Sequence, residues 1–557
     1  MNWLSFFGCN DILRRVGSAA TGRFGDRILV IALCGLSLWF SYESANAQLF
    51  TATKVSSIDG AAFDHFGLAV DISGMTAVVG SPRDDDHGTN SGSAYVYEFD
   101  GTNWVQTAKL TASDGSTADA FGTSVSISGD IIVVGAPFSS RNASGSGSVY
   151  LFEKPMSGWV DMTETALLDP SDFASQDVFG TSVSIDGDTV VAGAPQGIGV
   201  GSGKAYIFEK PIDGWVSMQE TAILTATSGS VGDDFAKSVA IRGTVVVIGV
   251  PGSDAIDQDA GIALVYQRPI DGWVSATEDA VLHGSDMRAG DGFGSSVDTS
   301  ESGIVVGAPF HDAGISDAGA AYVFLANQNG WTSSTEVGKL LSSNASSRDE
   351  FGNAVAMESG LILVGSHKND TEKLDGGAAF IFDRPKSGWT DMFESDVVLA
   401  SDASNSDGFG TGVAVDQFMA VIGSPFDDDF GDDSGSMYLV DVTPGCLDLQ
   451  VFNLIAGSTA TFSLQFGTPG QKFTVLYGLG GPPTIFNDLK GYCATFGFGF
   501  INRNNVLGTG QFDANGNGSI DHFIDPNDIG FTWKIQAAER GTCPDECVSN
   551  IVKQEIL

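Results

Sequence analysis

Seven times along this chain a phenylalanine opens a short alternating run, a tight turn follows, and an apolar run ends in Gly-x-Pro or a close variant. The openings are Phe66, Phe121, Phe179, Phe235, Phe293, Phe351 and Phe409, spaced 55, 58, 56, 58, 58 and 58 residues apart. A fixed period of this length marks a solenoid or a propeller, because one unit cannot bury its apolar face without a neighbour. Few other folds tolerate seven units in register.

The second unit shows what each contains. Gly122–Ile127 alternates small polar and apolar residues, as a half-buried strand does, and its small side chains suit a crowded position near a central axis. Gly129-Asp130 turns the chain into Ile131–Gly135, continuously apolar as a strand covered on both faces requires. After the polar loop Ser139–Ser146 comes an aromatic strand, Gly147–Glu153, then a turn carrying Trp159, then a fourth strand around Ala166–Leu168. Four short antiparallel strands with a stereotyped Gly/aromatic pattern make a propeller blade. The seventh unit runs from Met437–Val442 into Thr443-Pro444-Gly445 and has no fourth strand. Leu110, Leu168, Leu224, Leu282 and Leu340 each stand eleven residues before the next phenylalanine, and Val55 holds that offset before Phe66. Phe50–Ser57 is therefore expected to complete the last blade and remove the open edges. The fold class expected is all-β: a seven-bladed β-propeller over 48–444, closed by the N-terminal strand and followed by a small β-sandwich-like domain over 445–557.

Residues 1–47 read as a signal peptide. Four arginines precede the apolar run Ile28–Phe40, and Ala45-Asn46-Ala47 is a small-residue cleavage pattern. An uncleaved inner-membrane anchor is the alternative, and no later stretch is long and apolar enough for an integral span. The expected location is thus secreted, cell-surface or cell-envelope. With 27 Lys and Arg against 69 Asp and Glu, the net charge is −42, which argues against nucleic acid and anionic membrane as partners. The four cysteines outside the leader, Cys446, Cys493, Cys543 and Cys547, all follow the last repeat, so disulfides are expected only in the C-terminal domain, in any of three connectivities.

These units resemble the FG-GAP repeats of integrin alpha-chain heads and related bacterial surface proteins. The motif stands most fully at Phe121-Gly122 with Gly135-Ala136-Pro137, Phe179-Gly180 with Gly193-Ala194-Pro195, and Phe293-Gly294 with Gly307-Ala308-Pro309. It drifts elsewhere, as at Phe235-Ala236 and Gly365-Ser366-His367. The resemblance covers roughly residues 50–444 and implies a propeller that binds other macromolecules outside the cell. One feature of integrin-type repeats, an Asp-x-Asp-x-Asp-Gly calcium loop between the first two strands, is replaced here by tight turns such as Ser128-Gly129-Asp130. Calcium takes about six to eight oxygens, so those sites do not transfer.

Candidate site residues are few. No histidine pairing, nucleophile elbow or phosphate loop stands out, so the expectation is a non-enzymatic adhesion protein recognising a protein or glycan through its loops. The alternative is an extracellular polysaccharide hydrolase or lyase, or a structural envelope component. Two acidic runs, Asp84-Asp85-Asp86 and Asp427-Asp428-Asp429, occupy equivalent loops of the first and seventh units. Ring closure makes those units neighbours, so the six aspartates are expected to meet at one seam as a calcium-type site or a patch for a cationic partner, against the plainer reading of a solvated acidic rim. Asp513–Asp521 echoes an EF-hand loop but has Ile524 at the twelfth position, so a β-turn is the better reading.

Overall fold

The computed structural model describes residues 52–442, apart from 197–201, 302, 329, 359, 386 and 417–418, together with the backbone of strands farther on. The leader, the cysteines and the side chains of the C-terminal region lie outside the described residues. Within the described part the chain is a seven-bladed β-propeller.

Blade 2 is typical: Ser124–Ser128, Ile131–Ala136, Ser148–Glu153 and Ala166–Asp169 pair in order as an antiparallel sheet. Its second strand buries Ile132, Val133 and Val134 completely, as its unbroken apolar run requires. The last blade takes Val413–Asp416, Met419–Ser424 and Ser436–Asp441 from the end of the array and Ala52–Val55 from the start. Ala52 stands opposite Val440 and Val55 opposite Met437, in antiparallel register. Leu168 faces Val149 and Leu224 faces Ala205 in the same way, so the shared eleven-residue offset is a shared place in the blade.

Cores lie between blades. One cluster joins Val78, Ala94 and Leu110 of the first blade to Phe121, Ile132, Tyr150 and Trp159 of the second. The motif phenylalanine is the wedge: Phe121 is 1% exposed and meets Tyr150 edge-on at 5.3 Å. Gly122 has φ +92, and a side chain there would strike the Ser93 carbonyl of the previous blade. A further link is the strand Met162–Thr163, which leaves the second blade and pairs in parallel with Leu110-Thr111 of the first.

Alternation of strands sends the loops between strands two and three, and those leading into the next blade, to one end of the ring. The two-residue turns and the Trp-bearing turns gather at the other. Farther on, Asp448–Phe452, Thr459–Gln465, Lys472–Gly478 and Thr532–Glu539 are strands. Gly518–Phe523 also forms a strand, so the second half of the EF-hand-like stretch is extended backbone.

Candidate functional site

Strand register builds the acidic clusters. In the first blade Lys109 of the fourth strand stands opposite Tyr95 of the third, and in the seventh Lys54 stands opposite Tyr438. Each ammonium lies over its tyrosine ring, 5.1 and 5.7 Å from the centroid. The acidic loops then close over these cations. Lys109 Nζ donates to Asp59 at 2.7 Å and Asp84 at 2.9 Å, and it also contacts Asp86. Lys54 Nζ lies 2.7 Å from Asp402, 2.8 Å from Asp427 and 2.7 Å from Asp429. The Tyr95 hydroxyl donates to Asp59 at 3.0 Å and Asp84 at 2.8 Å, holding the buried carboxylate from a second side.

The electrostatics are those of a filled cation pocket. Burial works against charge on Lys54 and Lys109, but hydrogen bonds to three aspartates outweigh it and hold both ammoniums above their ordinary range. Burial likewise opposes charge on Asp59 and Asp402, and the hydrogen bond and charge of the lysine pull both carboxyls below the usual range. In each triad the carboxylate oxygens lie within 4.8 Å of one another, close enough to share one ion. The lysine ammonium already sits among them. A metal ion would have to displace it.

The six aspartates singled out in the sequence therefore divide. Asp84 and Asp86 join Asp59 around Lys109, and Asp427 and Asp429 join Asp402 around Lys54. Asp85 accepts the Asn90 N–H at 2.7 Å and Asp428 accepts the Asp433 N–H at 2.8 Å, each bracing its own loop. The seam between blades 1 and 7 is real: Phe63 N–H donates to the Asp432 carbonyl at 2.7 Å and Phe66 N–H to that of Ser434 at 3.1 Å. The two loops nevertheless build two clusters, each around its own lysine. Blade 5 repeats the arrangement with Lys339 over Tyr322, 2.7 Å from Asp286, and with His311 in place of the central aspartate.

A further recurrent acid escapes a reading centred on Phe-Gly. Asp64, Asp119, Asp177, Asp233, Asp291, Asp349 and Asp407 each stand two residues before the motif phenylalanine. Each accepts the backbone N–H three residues earlier, at 2.5–2.9 Å. This bond sets the turn that delivers the phenylalanine. The constant offset was the available signal. Burial is the main reason that Asp64 and Asp407 are pushed up to about 6.

The family model described as FG-GAP repeat matches residues 51–97, 104–152, 162–208, 218–266, 276–324, 334–382 and 393–440. The chain belongs to the FG-GAP repeat family. No curated protein matches it. Among solved structures it is similar to an exo-β-1,3-galactanase from Phanerochaete chrysosporium, at 8% identity and TM-score 0.30 over 92% of this chain and 94% of that one. It is also similar to an acylaminoacyl peptidase from Pyrococcus horikoshii, at 8% identity and TM-score 0.33 over 76% of this chain and 61% of that one. A tetra-tandem repeat from the extending region of a large adhesion protein follows at 12% identity and TM-score 0.14, over 88% and 98% of the two chains. TM-scores this low carry no inference from those proteins to the FG-GAP propeller here.

Proposed function

We propose that this FG-GAP propeller is a non-enzymatic binding protein of the extracellular or envelope space, recognising a protein or glycan through the loops at one end of the ring. The observation that carries the reading is the surface of those loops. In a chain with net charge −42 they expose Phe63, Phe138, Ile256, Ile315, Leu374 and Phe430, each 40–61% accessible. Large apolar side chains on loops, rimmed by acids, are what an interface presents before its partner arrives. The residue at a given loop position changes among the blades, as where Phe138 of the second blade is Arg83 in the first and Gly252 in the fourth. At the opposite end Met156, Ile212 and Ile270 are also exposed, but they repeat at one equivalent turn position of three successive blades. Repetition belongs to the scaffold, and variation gives recognition. The outward location rests on the signal-peptide reading of residues 1–47.

The test is a binding array of glycans and extracellular proteins probed with the full chain, in calcium and in chelator. The reading predicts binding to a restricted set of ligands. Calcium-independent binding accords with lysine-filled acidic pockets, and silence in both conditions counts against the reading.

A further inference from the structure

The end of the ring away from those loops carries its own cavity, made where the repeat breaks. At this end an ion pair stitches the Trp-bearing turns of blades 2, 3 and 4 to the third strand of the preceding blade. Lys154 meets Glu98 at 2.8 Å, Lys210 meets Glu153 at 3.6 Å, and Arg268 meets Glu209 at 2.6 Å. Blade 5 interrupts the ladder. Leu325 stands where Glu98, Glu153 and Glu209 stand in other blades, and Ala326 where the basic residue belongs. Arg384, the next basic residue in the series, thereby loses its acidic partner, and among the described residues no carboxylate pairs with it.

A cavity of about 770 Å³ opens at this break. Arg384, Arg242, Trp331, Thr299, Asp186 and Glu301 contribute to its wall. Trp331, like Trp104 of the first blade, is only partly buried, whereas Trp159, Trp215, Trp273 and Trp389 are 4–6% exposed. Arg242 has a loose contact with Glu358, at 3.4 Å. Asp186 is held in place by the Gly243 N–H at 2.6 Å.

We propose that this cavity binds an acidic sugar, the uronate unit of a polysaccharide. Guanidinium groups match a carboxylate through paired, charge-assisted hydrogen bonds. The exposed part of the Trp331 indole offers an apolar surface to the C–H groups of a pyranose ring. Asp186, Glu301 and Thr299 supply acceptors for sugar hydroxyls. The same two carboxylates disfavour a phosphate monoester, whose second charge they would repel. The size is that of a ligand pocket with room for more than one sugar ring. This site goes beyond the loop-end reading and lies at the opposite end of the ring, so either proposal can fail without the other.

Calorimetry at low salt on the full chain tests it, using trisaccharides of galacturonate, mannuronate and glucuronate and the methyl ester of each. At least one uronate is expected to bind and its uncharged ester not to. Arg384→Gln is expected to weaken that binding roughly tenfold, and Trp331→Ala to weaken it as well. Arg384 is exposed, so its variant folds whether or not the Trp331 variant does, and a melting curve verifies this. Failure of all three uronates to bind, equal binding of an ester, or binding unchanged by Arg384→Gln overturns the proposal. Tighter binding of tri-aspartate than of any uronate also overturns it, in favour of an acidic peptide.

Discussion

Lys54, on the strand that opens the described chain, lies 2.8 Å from Asp427 of the last blade, 373 positions later. The contact joins the two ends of the array. The strand carrying Lys54 has four residues, and its hydrogen bonds alone are a short seam for so large a ring. Placing its only cation among Asp402, Asp427 and Asp429 adds an attraction that no slipped register reproduces, because a one-residue shift turns the lysine to the other face.

Lys54→Met is therefore expected to lower stability by about 2 kcal/mol, below the figure for a fully buried pair because Asp402 and Asp429 are about half exposed. Lys237→Met, on an exposed lysine with no described ion pair, serves as control. Denaturant midpoints check this, and equal midpoints for the two variants would refute the latch. The raised lysine and lowered Asp402 keep the contribution present above the ordinary carboxyl pKa of 3.8 and up through that of lysine, 10.5. It is lost as acid protonates Asp402.

Removing the other lysine should convert an occupied pocket into a vacant one. Lys109→Met leaves Asp59, Asp84 and Asp86 with carboxylate oxygens within 4.8 Å of one another and no internal cation. Calcium titration should then show one more bound ion in the variant than in the wild type. Equal stoichiometry would mean that the lysine does not exclude a metal.

The fourth repeat carries an experiment in its own sequence. Ala236 occupies the place of the motif glycine at φ 65, a conformation that costs an L-residue about 1–2 kcal/mol. Ala236→Gly is expected to raise stability by roughly 1 kcal/mol, offset in part by the freer unfolded chain. Gly122→Ala should destabilise more strongly, since its new methyl also meets the Ser93 carbonyl. Melting curves showing the same sign for both substitutions would contradict this reading of the motif.

Acid should initially help the ring. Burial pushes Asp298 up to about 7 and Asp71 up to about 6, on the innermost strands of blades 5 and 1. The folded state thus holds these protons more tightly than the unfolded chain, where the carboxyl value is near 3.8. Stability from these groups falls as pH rises between about 4 and 7, and is regained on acidification. Asp298→Asn is expected to raise the melting temperature by roughly 3 °C at pH 8 and not at all at pH 4. The same gain at both pH values would refute the assignment.

Much of the ring was legible because its signals are local and repeat. Phe121, Gly122 and the run to Pro137 carry spacing, turn and burial in seventeen consecutive residues, and Val55 betrays the closing strand by its offset from Phe66. The acidic clusters were half legible. Asp84 and Asp427 stand out as runs, but the lysines that neutralise them reach those loops only through pairing with Tyr95 and Tyr438. No linear spacing announces that pairing, since Lys54 lies at the opposite end of the repeat array from Tyr438. The cavity at Trp331 was hidden for another reason. Leu325 and Ala326 are unremarkable residues until the Glu–Lys ladder of the other blades shows what they replace.

Recognition through the loop end is decided by repeating the array with Phe138→Ser, Phe310→Ser and Phe430→Ser combined in one chain. All three side chains are exposed on the loop end, at 43–57%, so the melting temperature should not change. Ligands captured by the wild type are expected to be lost by this variant while folding is retained. Capture that survives all three substitutions would contradict it.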